Sequence, residues 1–118
     1  MVSLTPVADT YILSGSPATN YGSVPTLYVG NNSGSIGRAL FRFDLSSIPS
    51  GATVLSANFD AYLTTASTSP TTLDVELKRV DTSWVESTVT WNTVLAYTGA
   101  SNFTLVGISP AYYSWDVT

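Results

Sequence analysis

The chain has 118 residues and a formal net charge of −4; 44% of its residues are hydrophobic and only 10% are charged. This length predicts a single domain over residues 1–118, and the presence of only four basic residues excludes the phosphate-tracking surface of a nucleic-acid-binding protein. The absence of cysteine and histidine excludes disulfides, thiolate metal sites and the commonest general base, and no run approaches the roughly 18 apolar residues of a membrane span.

Apolar and polar residues alternate with a period of two, in runs separated by Gly, Ser, Pro and Asn. This pattern predicts an all-β chain. Eight strands are predicted, at residues 7–13, 26–29, 38–44, 54–64, 72–80, 89–91, 104–108 and 112–117. Residues 31–34, with the sequence Asn-Asn-Ser-Gly, are predicted to form a loose loop.

The alternation also predicts which side chains share a face. Three inward sets are expected to meet between two sheets about 10 Å apart: Phe41, Phe43 and Leu45; Phe59, Ala61 and Leu63; and Leu73, Val75 and Leu77. Leu40, Arg42 and Asp44 then point outward. If the strands are neighbours, one outer surface gathers Tyr28, Arg42, Asp60, Tyr62, Glu76 and Lys78.

That outer surface is the best candidate for ligand recognition, through Tyr28, Arg42, Tyr62, Glu76 and Lys78. Tyrosine rings present flat apolar surfaces to sugar C–H groups, while Arg and Lys bind hydroxyls or the carboxylates of uronic acids. The alternative is a solvated sheet face with cross-strand charge pairs.

Asp9, Asn20 and Asp44 carry hard oxygen ligands near predicted strand ends. Ca²⁺ takes roughly 6–8 oxygens from side chains and backbone carbonyls, so a calcium site is one expectation. The alternative is that these residues cap turns, because no sequential Asp-x-Asp pattern defines a calcium-binding loop.

Lys78 is the chain's one lysine and lies in the middle of a predicted strand. A buried strand lysine with a depressed pKa is a nucleophile that forms isopeptide bonds to Asn or Asp in surface adhesins, and Asp60 or Glu76 would assist as the proton-transferring carboxylate. The predicted outward direction of Lys78 favours an ordinary exposed lysine instead.

Trp84, Glu86 and Trp91 form a cluster with a structural interpretation: the indoles anchor the fold, and Glu86 accepts hydrogen bonds from amides or an indole N–H. A sugar-stacking platform is the alternative. No catalytic residue is predicted, since the serines have no histidine partner and the chain contains neither a phosphate-binding glycine loop nor a Gly-x-Ser-x-Gly motif. A glycan-cleaving carboxylate pair is the least favoured reading.

Six short sequence motifs, in this order along the chain, resemble those of a known family. They are Asp9-Thr-Tyr-Ile12, Asn20-Tyr-Gly22, Leu27-Tyr-Val-Gly30, the run from Arg38 to Ser46, the run from Ile48 to Val54, and Trp84-Val-Glu86 followed by Thr90-Trp-Asn92. Together they resemble the DNRLRE family of β-sandwich modules in secreted and cell-surface proteins. Related carbohydrate-binding modules accompany polysaccharide-degrading enzymes, so the resemblance implies extracellular polysaccharide recognition.

Members of that family usually continue for a few strands beyond the Trp-Asp-Val at residues 115–117, so the resemblance implies a domain truncated at its C-terminus. An open strand edge is a template for strand addition. The resemblance therefore leaves a second possibility, an adhesin or stalk domain, or a split half of one, completed by a complementary strand or peptide and cross-linked through Lys78.

The sequence as a whole predicts an antiparallel β-sandwich of jelly-roll type. Its expected function is that of a non-catalytic module that binds polysaccharide outside the cell.

Overall fold

A computed structural model describes residues 1–67 and 71–118. Every element in these ranges is a strand, and all pairings are antiparallel. The strands are β1 (Ala8–Leu13), β2 (Gly30–Asn32), β3 (Ser35–Arg42), β4 (Asn58–Leu63), β5 (Leu73–Val80), β6 (Tyr97–Val106) and β7 (Ala111–Asp116). The described residues contain no helix long and apolar enough to cross a membrane. The all-β, antiparallel prediction is confirmed and is compatible with a β-sandwich; the jelly-roll connection stays a prediction.

The chain divides into two compact units, each built from two segments. The first unit comprises Met1–Ser50 and Thr82–Ala96, and the second comprises Gly51–Asp81 and Tyr97–Thr118. The first unit holds a three-stranded sheet in the order β1-β3-β2, and the second holds two two-stranded sheets, β4-β7 and β5-β6.

The hairpin between β2 and β3 differs from the predicted loose loop. Asn32 pairs with Ser35, which leaves a two-residue turn, and Ser33 and Gly34 both have positive φ, at 52° and 90°. Two successive positive φ angles are typical of the type I′ turn, whose twist matches that of the paired strands. The Asn31 side chain accepts a hydrogen bond from the Gly34 N–H at 2.9 Å. The structure has no strand at residues 26–29, where one is predicted. The strand at this place in the chain is β2, at Gly30–Asn32.

The core of the first unit lies on one face of β1 and β3. Ala8, Thr10 and Ile12 alternate as buried residues along β1, and Thr10 pairs with Leu40 of β3. Leu40 is only 3% exposed, so its predicted outward position is wrong. Leu45, predicted inward, is 60% exposed because β3 ends at Arg42 and the alternation does not continue to it.

The tryptophan segment, defined here as residues 82–96, contributes to the same unit. The Ala96 N–H donates to the Thr82 hydroxyl at 2.8 Å, which joins the two ends of the segment. No strand forms at residues 89–91: the N–H groups of Thr88 and Val89 both donate to the Val85 carbonyl in a turn. Val89 is nonetheless 2% exposed, so its hydrophobicity reflects burial in a turn and not in a strand.

Asn20 ties the loop between β1 and β2 to the tryptophan segment. Its side-chain amide donates to the carbonyls of Glu86 and Val89, at 2.9 and 2.8 Å, and its Oδ1 accepts the Gly22 N–H at 3.0 Å. Glu86 adds a second connection, since its carboxylate accepts the Asp9 N–H of β1 at 2.8 Å. Two Asn20 bonds thus connect the loop to the segment, and the Glu86 bond connects the segment to the first strand, while the third Asn20 bond, to Gly22, lies within the loop.

In the second unit the two sheets meet at Trp115. Its ring lies 5.6 Å from that of Phe59, and its indole N–H donates to the Val75 carbonyl of β5 at 2.8 Å. The inward positions predicted for Phe59, Ala61 and Leu63 agree with their alternating partial burial. In β5 the pairing register shifts between Leu77 and Arg79, so the less exposed positions run Val75, Leu77 and then Val80, while Leu73 is 45% exposed.

The close approach at Gly22 gives a stability test. A Cβ added to Gly22 would overlap the backbone carbonyl of Glu86, whereas a Cβ added to Gly51 meets nothing within 4 Å. Gly22→Ala is expected to destabilise the protein by about 1–3 kcal/mol, because the loop must move off the tryptophan segment. Urea denaturation measures the change. Gly51→Ala is the matched control, expected to stay within about 0.5 kcal/mol of wild type; equal stability of the two variants would contradict the role assigned to this contact.

Candidate functional site

Three tyrosines gather on the face of the first sheet that lies opposite the buried core. Tyr11 of β1 stacks on Tyr21, with ring centroids 4.3 Å apart and planes inclined by 16°. Tyr28 meets Tyr11 edge-on, with centroids 6.4 Å apart. The Tyr28 ring also lies against the backbone of Gly37 in β3. Offset and edge-on arrangements are those that aromatic quadrupoles favour, so the rings support one another.

A groove of about 260 Å³ opens beside these rings. This tyrosine groove is lined by Tyr11, Leu13, Tyr28, Asn32 and Ser35. Asn32 and Ser35 are the last paired residues before the hairpin turn, so the tight turn brings an amide and a hydroxyl to the same rim. The Ser35 hydroxyl oxygen accepts the Gly15 N–H at 3.1 Å. None of the five lining residues is charged, and the arrangement of aromatic wall and polar rim suits a ligand with both C–H and hydroxyl groups.

The position of Tyr21 depends on its neighbours in the chain. Asn20 and Gly22, which flank it, are both held to the tryptophan segment or to each other by hydrogen bonds. Because both flanking residues are fixed, the backbone of Tyr21 is fixed too. The stack on Tyr11 is thus supported from outside the groove.

Arg42, a predicted ligand-binding residue, points away from this groove. Its side chain shares the face of Leu40, and its guanidinium lies 5.3 Å from the centroid of the Trp84 ring while donating to the Trp84 carbonyl at 2.8 Å. Arg38 lies on the same face with its guanidinium 4.8 Å from the Trp91 ring centroid. Tyr28 and Arg42 therefore lie on opposite faces of one sheet and do not share the single outer surface that strand parity predicted.

The tryptophan segment uses its aromatic rings for packing. Trp84 is 7% exposed, and both indoles stack against arginines of β3. The carboxylate of Glu86 accepts a hydrogen bond from the Asp9 N–H. These contacts favour the structural interpretation of Trp84, Glu86 and Trp91 over the sugar-stacking alternative.

Tyr62, Glu76 and Lys78, the other predicted ligand-binding residues, belong to the second unit. Tyr62 lies on β4 and meets Tyr112 of β7 edge-on. Glu76 and Lys78 form an ion pair at 3.7 Å, and about two fifths of each side chain is exposed. Asp60 accepts a hydrogen bond from the Ser114 hydroxyl. An exposed, ion-paired lysine differs from the apolar pocket that isopeptide chemistry requires, and that hypothesis stays an untested prediction.

The three candidate calcium ligands have different partners. Asp9 gives its backbone N–H to Glu86, and Asn20 gives its amide to two carbonyls. The Asp44 carboxylate accepts the Ser46 N–H at 2.9 Å, which holds the pKa of Asp44 below its usual range, with a smaller contribution from the Ser46 side chain. Among the described residues no group of three or more carboxylates is placed to hold a metal. Calcium binding at Asp9, Asn20 and Asp44 stays a prediction.

The sequence pattern does not point to Tyr11, Tyr21, Asn32 and Ser35 as groove residues. Tyr11 falls in a predicted strand, and Tyr21 lies in a loop whose position depends on contacts distant in the chain. Two short sequences could have pointed to these residues: Asn-Tyr-Gly around Tyr21, and Asn-Ser-Gly beginning at Asn32. They indicate turns, but they do not show which strand the turns approach.

The family model described as carbohydrate-binding module family 96 matches residues 1–118. No curated protein and no solved structure matches the chain significantly.

The partial burial of Tyr11 in its stack on Tyr21 predicts an abnormal titration of its phenol. Burial, and secondarily the neighbouring Tyr21, raises the pKa of Tyr11 above its usual value of about 10. A folded-state pKa above the unfolded value stabilises the fold below about pH 10, and this contribution is lost as the pH rises through the folded pKa. The ultraviolet difference titration between wild type and Tyr11→Phe isolates this phenol, which is expected to ionise at higher pH in the native protein than in denaturant. Coincident midpoints would contradict the assignment.

Proposed function

The chain belongs to carbohydrate-binding module family 96, and we propose that it binds a polysaccharide chain in the tyrosine groove. The family match over the whole sequence is the observation that carries this proposal. Modules of this kind are generally non-catalytic. They bind a carbohydrate and thereby hold a neighbouring domain close to it. The resemblance to DNRLRE modules adds the proposal that the protein works at the cell surface or outside the cell.

The groove supports the proposal through its chemistry. A pyranose ring has C–H groups on its faces and hydroxyls around its edge. The rings of Tyr11 and Tyr28 offer apolar surface to the faces, while Asn32 and Ser35 offer a donor and acceptors to the hydroxyls. Because the lining is uncharged, recognition in the groove rests on stacking and hydrogen bonding.

The groove is also ordered before a ligand arrives. Tyr28 is held by Gly37 and by the edge of Tyr11, and Tyr11 is held by Tyr21. Rings that are already packed lose little rotational freedom on binding, so more of the contact energy appears as affinity. Completion by a complementary strand, and cross-linking through Lys78, stay alternative predictions about partners.

The test is a binding titration with a panel of soluble polysaccharides, by affinity electrophoresis and calorimetry. For a polysaccharide that binds wild type, Tyr28→Ala is expected to weaken binding about tenfold or more, corresponding to the loss of about 1.4 kcal/mol of contact energy. Tyr28→Phe, which keeps the ring, should retain most of the affinity.

Phe103→Ala is the matched control, since it removes a ring that is 60% exposed in the second unit. It should bind as wild type does. Unchanged affinity in Tyr28→Ala, with circular dichroism and melting temperature close to wild type, would place the ligand elsewhere and overturn the proposal for the groove.

A further inference from the structure

The outer face of the β4-β7 sheet carries a second pair of tyrosines. The register places Tyr62 opposite Tyr112, Asp60 opposite Ser114 and Asn58 opposite Asp116. Side chains at paired positions lie on the same side of a sheet, and alternate positions along a strand share a face. These six side chains therefore form one surface, which we call the acidic tyrosine face. The buried Trp115 points to the other side.

The two rings of this face are open to solvent. Tyr62 is 54% exposed and Tyr112 is 73% exposed, with ring centroids 5.0 Å apart and planes inclined by 69°. The rings make an angled corner, and each keeps an exposed surface. Such a corner fits a ligand that presents C–H groups or a cation to aromatic rings.

The charge of the face narrows the choice of ligand. Asp60 and Asp116 supply two carboxylates, whereas all four basic residues of the chain, Arg38, Arg42, Lys78 and Arg79, lie outside β4 and β7. Asp116 accepts the Thr118 N–H at 3.0 Å, and this bond and the Thr118 side chain hold its pKa below its usual range, so it stays anionic at neutral pH. A polyanionic glycan would be repelled by this face, while an ammonium group would be attracted to it.

We propose that the acidic tyrosine face is a second glycan-binding surface, selective for polysaccharides that carry free amino groups. An amino sugar stacks on Tyr62 or Tyr112 and directs its ammonium to the carboxylate of Asp60. The Ser114 hydroxyl, which donates to Asp60, holds that carboxylate in place. The inference extends the proposed function from one surface to two, and it rests on residues that the tyrosine groove does not contain.

The experiment compares one oligosaccharide of β-linked glucosamine with its fully N-acetylated counterpart of equal length. Both are titrated by calorimetry at a pH where the amino groups are protonated and the aspartates ionised. Wild type is expected to bind the glucosamine form at least about threefold more tightly, as one cation–π contact and one exposed ion pair allow. Added salt should reduce that preference.

Three variants test the face. Tyr62→Ala and Tyr112→Ala remove the rings, and Asp60→Asn removes one charge while keeping an oxygen for the Ser114 hydroxyl. Each is expected to weaken binding of the glucosamine oligosaccharide about three- to tenfold. Asp74→Asn removes the same charge from an exposed position on the β5-β6 sheet and should leave binding unchanged.

Equal affinity for the two oligosaccharides, wild-type affinity in the ring variants, or equal losses in Asp60→Asn and Asp74→Asn would each overturn the inference. The variant Tyr28→Ala distinguishes this inference from the proposed function of the tyrosine groove. Loss of glucosamine binding in Tyr28→Ala alone would assign this ligand to the groove and refute the second surface. Failure of the groove to bind any polysaccharide would leave the predicted behaviour of Tyr62, Tyr112 and Asp60 unchanged.

Discussion

The side-chain amide of Asn20 is the interaction on which the first unit depends. One amide satisfies two carbonyls of the tryptophan segment and one N–H of its own loop. Each bond contributes about 1 kcal/mol net, but an unsatisfied carbonyl left behind in this part-buried place costs about 1–3 kcal/mol. Neither the loop nor the segment has regular hydrogen-bonded structure of its own. The contacts between them therefore add to the turns that each forms within itself, and the carboxylate of Glu86 connects the segment to β1.

The two faces of the β1-β3-β2 sheet differ: one is packed, and the other carries the proposed binding groove. One face holds Leu40, with Arg38 and Arg42 stacked on the tryptophans. Arginine suits this position because its planar guanidinium stacks on an indole and still donates to a carbonyl. With this face packed, the other face is left to carry the tyrosine groove. The arginines thus stabilise the sheet that carries the tyrosine groove without lining the groove.

The sequence predicts the fold well where one face of a strand is apolar and the other polar. β1, β4 and β5 lie within the predicted ranges for this reason, and β7 begins one residue before its predicted range. The prediction fails at Leu40, because β3 has apolar residues on both faces and the alternation alone does not show which face is buried. It fails at residues 89–91 because Val89 is buried in a turn, and a buried turn has the same apolar composition as a short strand.

The candidate site is harder to predict than the fold, since it is made by contacts between distant parts of the chain. Strand parity places Tyr28 and Tyr62 on one surface together with Arg42, and their role in ligand binding stays a prediction. The structure puts Tyr28 and Arg42 on opposite faces because Tyr28 precedes β2, outside the alternation from which its direction was inferred. Tyr21 depends on the Asn20 amide, whose partners lie more than 60 residues away.

The two proposed tyrosine surfaces would give a chain with few charges two distinct binding chemistries. Tyrosine gives a large contact area with only two rotatable side-chain bonds, so an exposed tyrosine costs little entropy when a ligand immobilises it. In the groove the polar partners are an amide and a hydroxyl, while on the β4-β7 sheet they are carboxylates. Since only 10% of the residues are charged, two aspartates on one small face dominate its local potential. In the two proposed sites the same aromatic side chain takes an uncharged or a cationic sugar, according to the polar residues beside it.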